Sequence, residues 1–235
     1  MTPPVALVTG ATEGIGRAVC FSLGRAGYAV AAVARTPDRV RALVVALEAG
    51  GIRAFGYPAD VSDPDAVAVL VSATESALGP VDVLVNNAGI LIDGPVLEMS
   101  LEAWDRTFAV NVRSLFLTCR AVLPGMVTRG RGDIVNIASL AGKNGVLNAA
   151  AYAASKHAVL GFSRSLMLEV RKQGVRVIAI CPGSVDTPMM HGQGAFAPAF
   201  DRILQPEDVA AAVVDALSLP RRAMVSELDI RPSNP

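Results

Sequence analysis

Tyr152 and Lys156 stand four residues apart in the stretch Ala151-Tyr152-Ala153-Ala154-Ser155-Lys156. On a helix this spacing puts them one turn apart on the same face. An ammonium beside a phenol favours the phenolate and lowers the tyrosine pKa from its ordinary value of about 10. A tyrosine tuned in this way can give and take a proton near neutral pH. Alone, the pair is also what a packed Tyr beside a solvated Lys looks like. Its meaning depends on the elements around it.

The chain opens with a short apolar run, Val5–Thr9, that reads as a buried strand. Gly10-Ala11-Thr12-Glu13-Gly14-Ile15-Gly16 follows, and then an amphipathic segment, 17–26, that ends at Gly27. Strand, glycine-rich turn and helix form the context in which backbone N–H groups and a helix N-terminus can hold a pyrophosphate. The spacing is G-x-x-x-G-x-G, and a simple tight turn is the plainer alternative. A second strand, 28–34, ends at Arg35 rather than at an acid, with Arg39 one helical turn further on. An acid there would hold the ribose hydroxyls of NAD, whereas an Arg can pair with the 2′-phosphate of NADP. Both arginines could instead be solvated at a helix start. Glu13 is a counter-signal, because its charge would repel a nearby phosphate.

The remaining pattern alternates in the same way. A helix over 36–49 and a strand over 53–57 lead to Ala59-Asp60-Val61, with Ser62 as the expected cap of a helix reaching about residue 78. Asp60 at a strand end could meet an adenine amino group or simply close a turn. A fourth strand, 81–85, ends in Asn86-Asn87-Ala88-Gly89, a polar turn able to tie strand ends together or lie against a ribose. A long apolar helix is expected over 101–129, with Asn111 inside it; an Asn there disturbs the helical ladder and needs a reason. The fifth strand, 133–138, ends at Ser139; the Tyr152 helix covers about 150–172; and a sixth strand, 175–181, runs into Pro182-Gly183. An irregular Gly-, Pro- and Met-rich stretch, 184–204, a helix near 207–217 and a strand over 224–230 complete the chain.

This alternation predicts an α/β fold: one domain over 1–235, a Rossmann-type doubly wound parallel sheet of about seven strands with helices on both faces. In such a sheet the crevice lies at the carboxyl ends of the strands. Thr9, Arg35, Asp60, Asn86, Ser139 and Pro182-Gly183 all fall there, and this clustering lifts the Tyr152–Lys156 pair above chance.

Composition narrows the options. A 52% hydrophobic chain with mean hydropathy +0.45 suits strands buried on both faces and helix faces covered by other subunits. The 21 basic and 21 acidic residues balance, with no basic block, so neither nucleic acid nor an anionic membrane is expected as a partner. No leader or spanning segment stands out, and Cys20, Cys119 and Cys181 are isolated, without metal spacing. Buried free thiols in a cytoplasmic protein are expected, and no metal.

Together, Thr9-Gly10-x-x-x-Gly14-x-Gly16, Asn86-Asn87-Ala88-Gly89, Asn111, Ser139, Tyr152-x-x-x-Lys156 and Pro182-Gly183 with Thr187 give a sequence that resembles the short-chain dehydrogenase/reductase family over nearly its whole length. The resemblance implies a catalytic tetrad of Asn111, Ser139, Tyr152 and Lys156. Tyr152 would be the general acid/base and Ser139 would stabilise charge on the substrate oxygen. Lys156 would lower the Tyr152 pKa and hold the nicotinamide ribose, and Asn111 would help hold a relay water. It also implies cofactor contacts from Thr9, Gly10, Thr12, Glu13, Gly14, Ile15 and Gly16, from Asp60 and Val61, from Asn87, Ala88 and Gly89, and from Pro182, Gly183, Val185 and Thr187. Ala138 stands where many relatives have a second serine.

The substrate-loop region, about 184–205, is short, which suggests an open pocket or a modest substrate. Leu140, Leu147, Asn148, Met189 and Met190, with Ile90, Leu91 and Phe196, are the candidate pocket residues; no arginine is obvious for gripping a carboxylate, and His191 reads as an exposed loop residue. The leading expectation is an NADP(H)-preferring ketone or aldehyde reductase that can also run as an alcohol dehydrogenase. An NAD-dependent alcohol or sugar dehydrogenase is the alternative within the family, and a nucleotide-binding sensor without turnover the alternative outside enzymes. The resemblance further implies a homotetramer, or a homodimer, built through the two long helices.

Overall fold

The computed structural model describes residues 2–191 and 202–233. Seven strands form one parallel sheet in the order β3-β2-β1-β4-β5-β6-β7. They are β1 (Val5–Thr9), β2 (Ala29–Ala34), β3 (Ala54–Pro58), β4 (Val81–Asn86), β5 (Gly132–Ile137), β6 (Val175–Pro182) and β7 (Glu227–Ile230). The order reverses between β1 and β4, which opens a crevice there. Eight α-helices connect the strands among the described residues: α1 (Gly14–Arg25), α2 (Pro37–Ala49), α3 (Pro64–Leu78), α4 (Leu101–Phe108), α5 (Ser114–Thr128), α6 (Ala150–Val170), α7 (Pro188–His191) and α8 (Pro206–Ser218).

The apolar runs become strands because both faces are covered. Every residue of β1, β5 and β6 is buried. One core, including Leu7, Leu70, Leu84, Met126 and Leu160, lies against α3, α5 and α6. The other, including Val8, Leu23, Leu47, Ile178 and Val213, lies against α1, α2 and α8. Each such side chain adds about 1.5–3 kcal/mol on burial, so the strand pattern outweighs any local helical preference.

Three sequence expectations are corrected. The helix expected over 101–129 is two helices, α4 and α5, joined by a π-helical turn at Ala109–Arg113. Asn111 sits in that turn, and the widened ladder is the disturbance its side chain foreshadowed. The cap of α3 is Asp63, whose carboxylate accepts from the Asp65 N–H at 2.9 Å; Ser62 instead donates to Asp60. The last strand begins at Glu227 rather than 224, because only this part pairs with β6. Phe196 and the middle of the loop 184–205, residues 192–201, fall outside the described residues.

Candidate active site at the carboxyl edge of the sheet

A cleft of about 750 Å³ runs along the carboxyl ends of the strands. Its first wall is the glycine turn between β1 and α1. Gly10 and Gly14 take φ of +62° and +50°, which other residues rarely adopt. A Cβ on Gly16 would lie 2.2 Å from the Gly10 carbonyl oxygen, so the turn closes only around glycine. Thr9 Oγ1 accepts from the Asn87 and Ala88 N–H groups at 3.0 and 3.1 Å, and Asn87 Nδ2 donates to the Thr9 and Gly10 carbonyls at 3.0 Å each. The two polar motifs thus brace each other. Thr9 and Gly16 lie behind the wall, whereas Gly10, Thr12, Glu13, Gly14, Ile15, Asn87, Ala88 and Gly89 line it. Four N–H groups at the start of α1 lack helical partners, and the helix end favours an anion there.

Arg35, Arg39, Asp60 and Val61 line the end beyond β2 and β3. Asp60 Oδ1 accepts from Ser62 N at 2.9 Å and Ser62 Oγ at 2.6 Å, and its Oδ2 lies 3.4 Å from Arg106 Nη2. Burial raises its carboxyl, but the Ser62 bonds and the Arg106 charge outweigh this and hold it below its ordinary value. Asp60 is therefore both a turn residue and a cleft residue. Arg39 Nη1 sits 2.9 Å from Glu13 Oε2.

Ser139, Tyr152 and Lys156 meet at the other end. Ser139 follows β5, and its hydroxyl, which accepts from the Ala141 N–H at 3.1 Å, faces the Tyr152 side chain closely enough to favour its ionised form. Lys156, 6% exposed, donates from Nζ to the Ile137 carbonyl at 2.8 Å and lies 5.7 Å from the centre of the Tyr152 ring. The expected lowering of the Tyr152 pKa is not what this arrangement gives. Burial pushes Tyr152 above its ordinary value, and the Ser139 bond only partly opposes it. Burial also acts on Lys156, pulling it down to about 8, partly offset by Cys181. Desolvation outweighs the charge pairing because both groups sit in the same dry corner.

Asn111 does not line the cleft; it is buried beneath it. Its Oδ1 accepts from Ile90 N at 2.8 Å, and its Nδ2 donates to Ile90 O and Ser155 Oγ at 2.9 Å each. Both amide hydrogens are thus spent on protein partners. Ser155 Oγ in turn donates to the Tyr152 carbonyl at 2.7 Å. Ser155 carried no sequence signal apart from its place between Tyr152 and Lys156.

Pro182, Gly183, Val185 and Thr187 form the facing wall, with Leu140, Met189, Met190, Ile90 and Leu91 beside the reactive corner. Leu147 does not belong there: it is 82% exposed and outside the cleft. Asn148 is also outside; its backbone takes φ of +55° and its carbonyl accepts from Gly94 N at 2.7 Å, so it shapes a loop. His191, also outside the cleft, pairs with Asp186 at 2.6 Å. Arg202 and Arg231 also line the cleft, although the sequence offers no obvious arginine for gripping a substrate carboxylate. Arg231 follows β7, whose end at residue 230 the sequence marks, so the strand-end rule covers it too.

Among the described residues no group of His, Cys, Asp and Glu could hold a metal, and no helix is long and apolar enough to cross a membrane. The glycine-only turn, the helix start and the flanking arginines do fit a dinucleotide. Comparison with known proteins agrees. The short chain dehydrogenase family matches residues 4–197. A putative ketoacyl reductase of Streptomyces coelicolor is 45% identical over 187 residues, covering 79% of this chain and 72% of that protein. An actinorhodin polyketide ketoreductase solved with NADPH superposes with TM-score 0.91 at 37% identity, covering 98% of this chain and 97% of that one. A metagenomic short-chain oxidoreductase in complex with NADP gives 0.87 at 36% identity, covering 100% and 99%. With fold, motifs and relatives in agreement, this chain belongs to the short-chain dehydrogenase family and is an oxidoreductase.

Proposed function

We propose that the protein is an NADP(H)-preferring carbonyl reductase, reversible as a secondary-alcohol dehydrogenase. The observation that carries this reading is the meeting of Ser139, Tyr152 and Lys156, the last 5.7 Å from the Tyr152 ring centre, in a cleft whose far end holds Arg35 and Arg39. Thr12, Gly14 and Ile15 would hold the pyrophosphate, Asp60 and Val61 the adenine, Lys156 the nicotinamide ribose, and Val185 and Thr187 the carboxamide. When bound, the nicotinamide supplies or accepts the hydride.

The chain's own residues do the rest. Tyr152 holds the proton delivered to the carbonyl oxygen in reduction, and takes it from the alcohol in oxidation. A hydroxyl held above its ordinary pKa stays protonated at neutral pH, the form that reduction needs, although as a weaker acid it gives up that proton less readily. Ser139 donates to the same oxygen and stabilises its developing charge. Lys156 places a cation beneath the phenol. Asn111 holds the floor in place through Ile90 and Ser155. Leu140, Met189 and Met190 exclude water and favour an apolar ketone, and the ketoacyl reductase relative supports an acyl-bearing one. Exposed Phe116 and Leu168, on α5 and α6, are the faces through which we expect a homotetramer. The free thiols are buried, as suits the cytoplasm.

The test is Tyr152→Phe, assayed at 340 nm with NADPH and a panel of ketones and β-ketoesters. The parent should turn over at least one of them. The variant should lose about 10²–10⁴-fold in kcat while still binding NADPH. Near-full turnover in the variant would remove Tyr152 from the chemistry.

A further inference from the structure

Glu13 is the cap residue of α1, yet its side chain makes no cap hydrogen bond. Its carboxylate reaches instead across 26 residues of sequence to Arg39, in the first turn of α2, at 2.9 Å. The pair spans the mouth of the cleft between the glycine turn and the end of β2, and both residues line it. The Arg39 and Glu13 side chains are 64% and 53% exposed, so the pair adds little to folding and is easily parted. Nearby charges are otherwise engaged or point to one role. Arg41 pairs with Asp38 within α2, and Arg17 lies over the Phe21 ring. Arg35 makes no ion pair among the described residues and faces the same end.

We infer that Glu13 is a specificity-determining residue that competes with the adenosine 2′-phosphate for Arg39 and so narrows the preference for NADP(H) over NAD(H). This rests on the cofactor orientation proposed above. A phosphate drawn to Arg39 meets a carboxylate already bonded to that guanidinium. Binding must part the ion pair and then tolerate a second anion beside it. NAD(H), with no phosphate at that position, leaves the pair intact. Arg35 keeps the phosphate-binding character, and Glu13 weakens it.

The experiment is calorimetric titration of NADP⁺ and NAD⁺ into the full-length parent, Glu13→Gln, Arg39→Ala and the double variant, at low and high salt. Glu13→Gln should tighten NADP⁺ by about three- to tenfold at low salt, less at high salt, because exposed charges are screened. NAD⁺ should stay within about twofold, since no phosphate meets the residue. The gain should vanish in the Arg39→Ala background. Equal tightening of both dinucleotides would place the effect at the pyrophosphate and overturn the inference, as would a gain that survives Arg39→Ala. Weaker NADP⁺ binding would mean that Glu13 orients Arg39 for the phosphate, and would also overturn it. A parent that binds neither dinucleotide removes the proposed function itself; a parent that binds both, with an unchanged ratio in Glu13→Gln, overturns this inference alone.

Discussion

The two ends of the sheet treat buried charge in opposite ways. At the amino end, Asp133 on β5 accepts from Arg176 Nε at 2.6 Å and from Arg221 Nη1 at 2.8 and 2.9 Å. Arg176, 5% exposed, also donates to the carbonyls of Leu217, Leu219 and Ala223. Asp133, Arg176 and Arg221 thus satisfy one another within the fold, and the cluster ties β5, β6 and the α8–β7 connection together. At the carboxyl end, Lys156 donates to one backbone carbonyl and pairs with no carboxylate among the described residues, and Tyr152 faces Ser139. Charges that satisfy each other hold a structure. Groups left with spare bonding capacity, desolvated and facing a cleft, remain available to a ligand.

If that contrast is right, damage at the two ends should separate stability from chemistry. Asp133→Ala strands two guanidinium groups, one of them buried, and should cost about 3–5 kcal/mol. Denaturant unfolding should show the loss, while the folded fraction keeps the parent's KM for NADPH. Tyr152→Phe should do the reverse, with an unfolding midpoint near the parent's and kcat reduced. A stable but inactive Asp133→Ala would break the comparison, because the amino end would then reach the chemistry.

Much of the carboxyl end was legible in the sequence because its signals are local. Gly10, Gly14 and Gly16 announce a turn that only glycine can make, and Tyr152 and Lys156 announce themselves by one helical turn. Thr9 and Gly16 were read as part of the cofactor wall, yet the structure puts them behind it, where they brace Asn87 and Gly10. The amino end was illegible for the opposite reason: Asp133 and Arg176 are 43 residues apart and meet only because β5 and β6 pair in register. Leu147 was misplaced because apolarity alone does not say which way a loop side chain faces. The break at Ala109–Arg113 was signalled by Asn111 alone, within an apolar run that otherwise reads as one helix. The direction of the Tyr152 shift was missed because the depth of burial is a tertiary property.

That depth of burial gives a pH test with a definite sign. Lys156 titrates at about 8 in the folded chain against an ordinary 10.5. Between those values the unfolded chain binds more protons, so this group's contribution to stability rises with pH. The buried cysteines act the other way: Cys20 and Cys119 are raised from 9.0 to about 12, so what they contribute is lost as pH climbs above 9. Comparison with Lys156→Met isolates the lysine, since both chains share the cysteines. From pH 8 to 10.5 the stability difference should move in the parent's favour by about 3 kcal/mol. A constant difference would mean that Lys156 is not desolvated, and the corner would lose its distinction from an ordinary ion-paired surface.

The smallest effect concerns the link between the cleft floor and the acid/base helix. Ser155 is fully buried; it accepts from Asn111 and donates to the Tyr152 carbonyl. Ser155→Ala removes one donor and one acceptor, but Asn111 keeps both bonds to Ile90, so the loss should be about 1 kcal/mol. Were this only packing, kcat would follow the folded fraction. If Ser155 positions Tyr152 over Ser139, kcat should fall several-fold at unchanged NADPH affinity, and Ser155→Thr, which keeps the hydroxyl, should recover part of it. A loss of stability with kcat intact would show that the π-helical turn and the acid/base helix are merely packed neighbours, and that Asn111 serves the site through Ile90 alone.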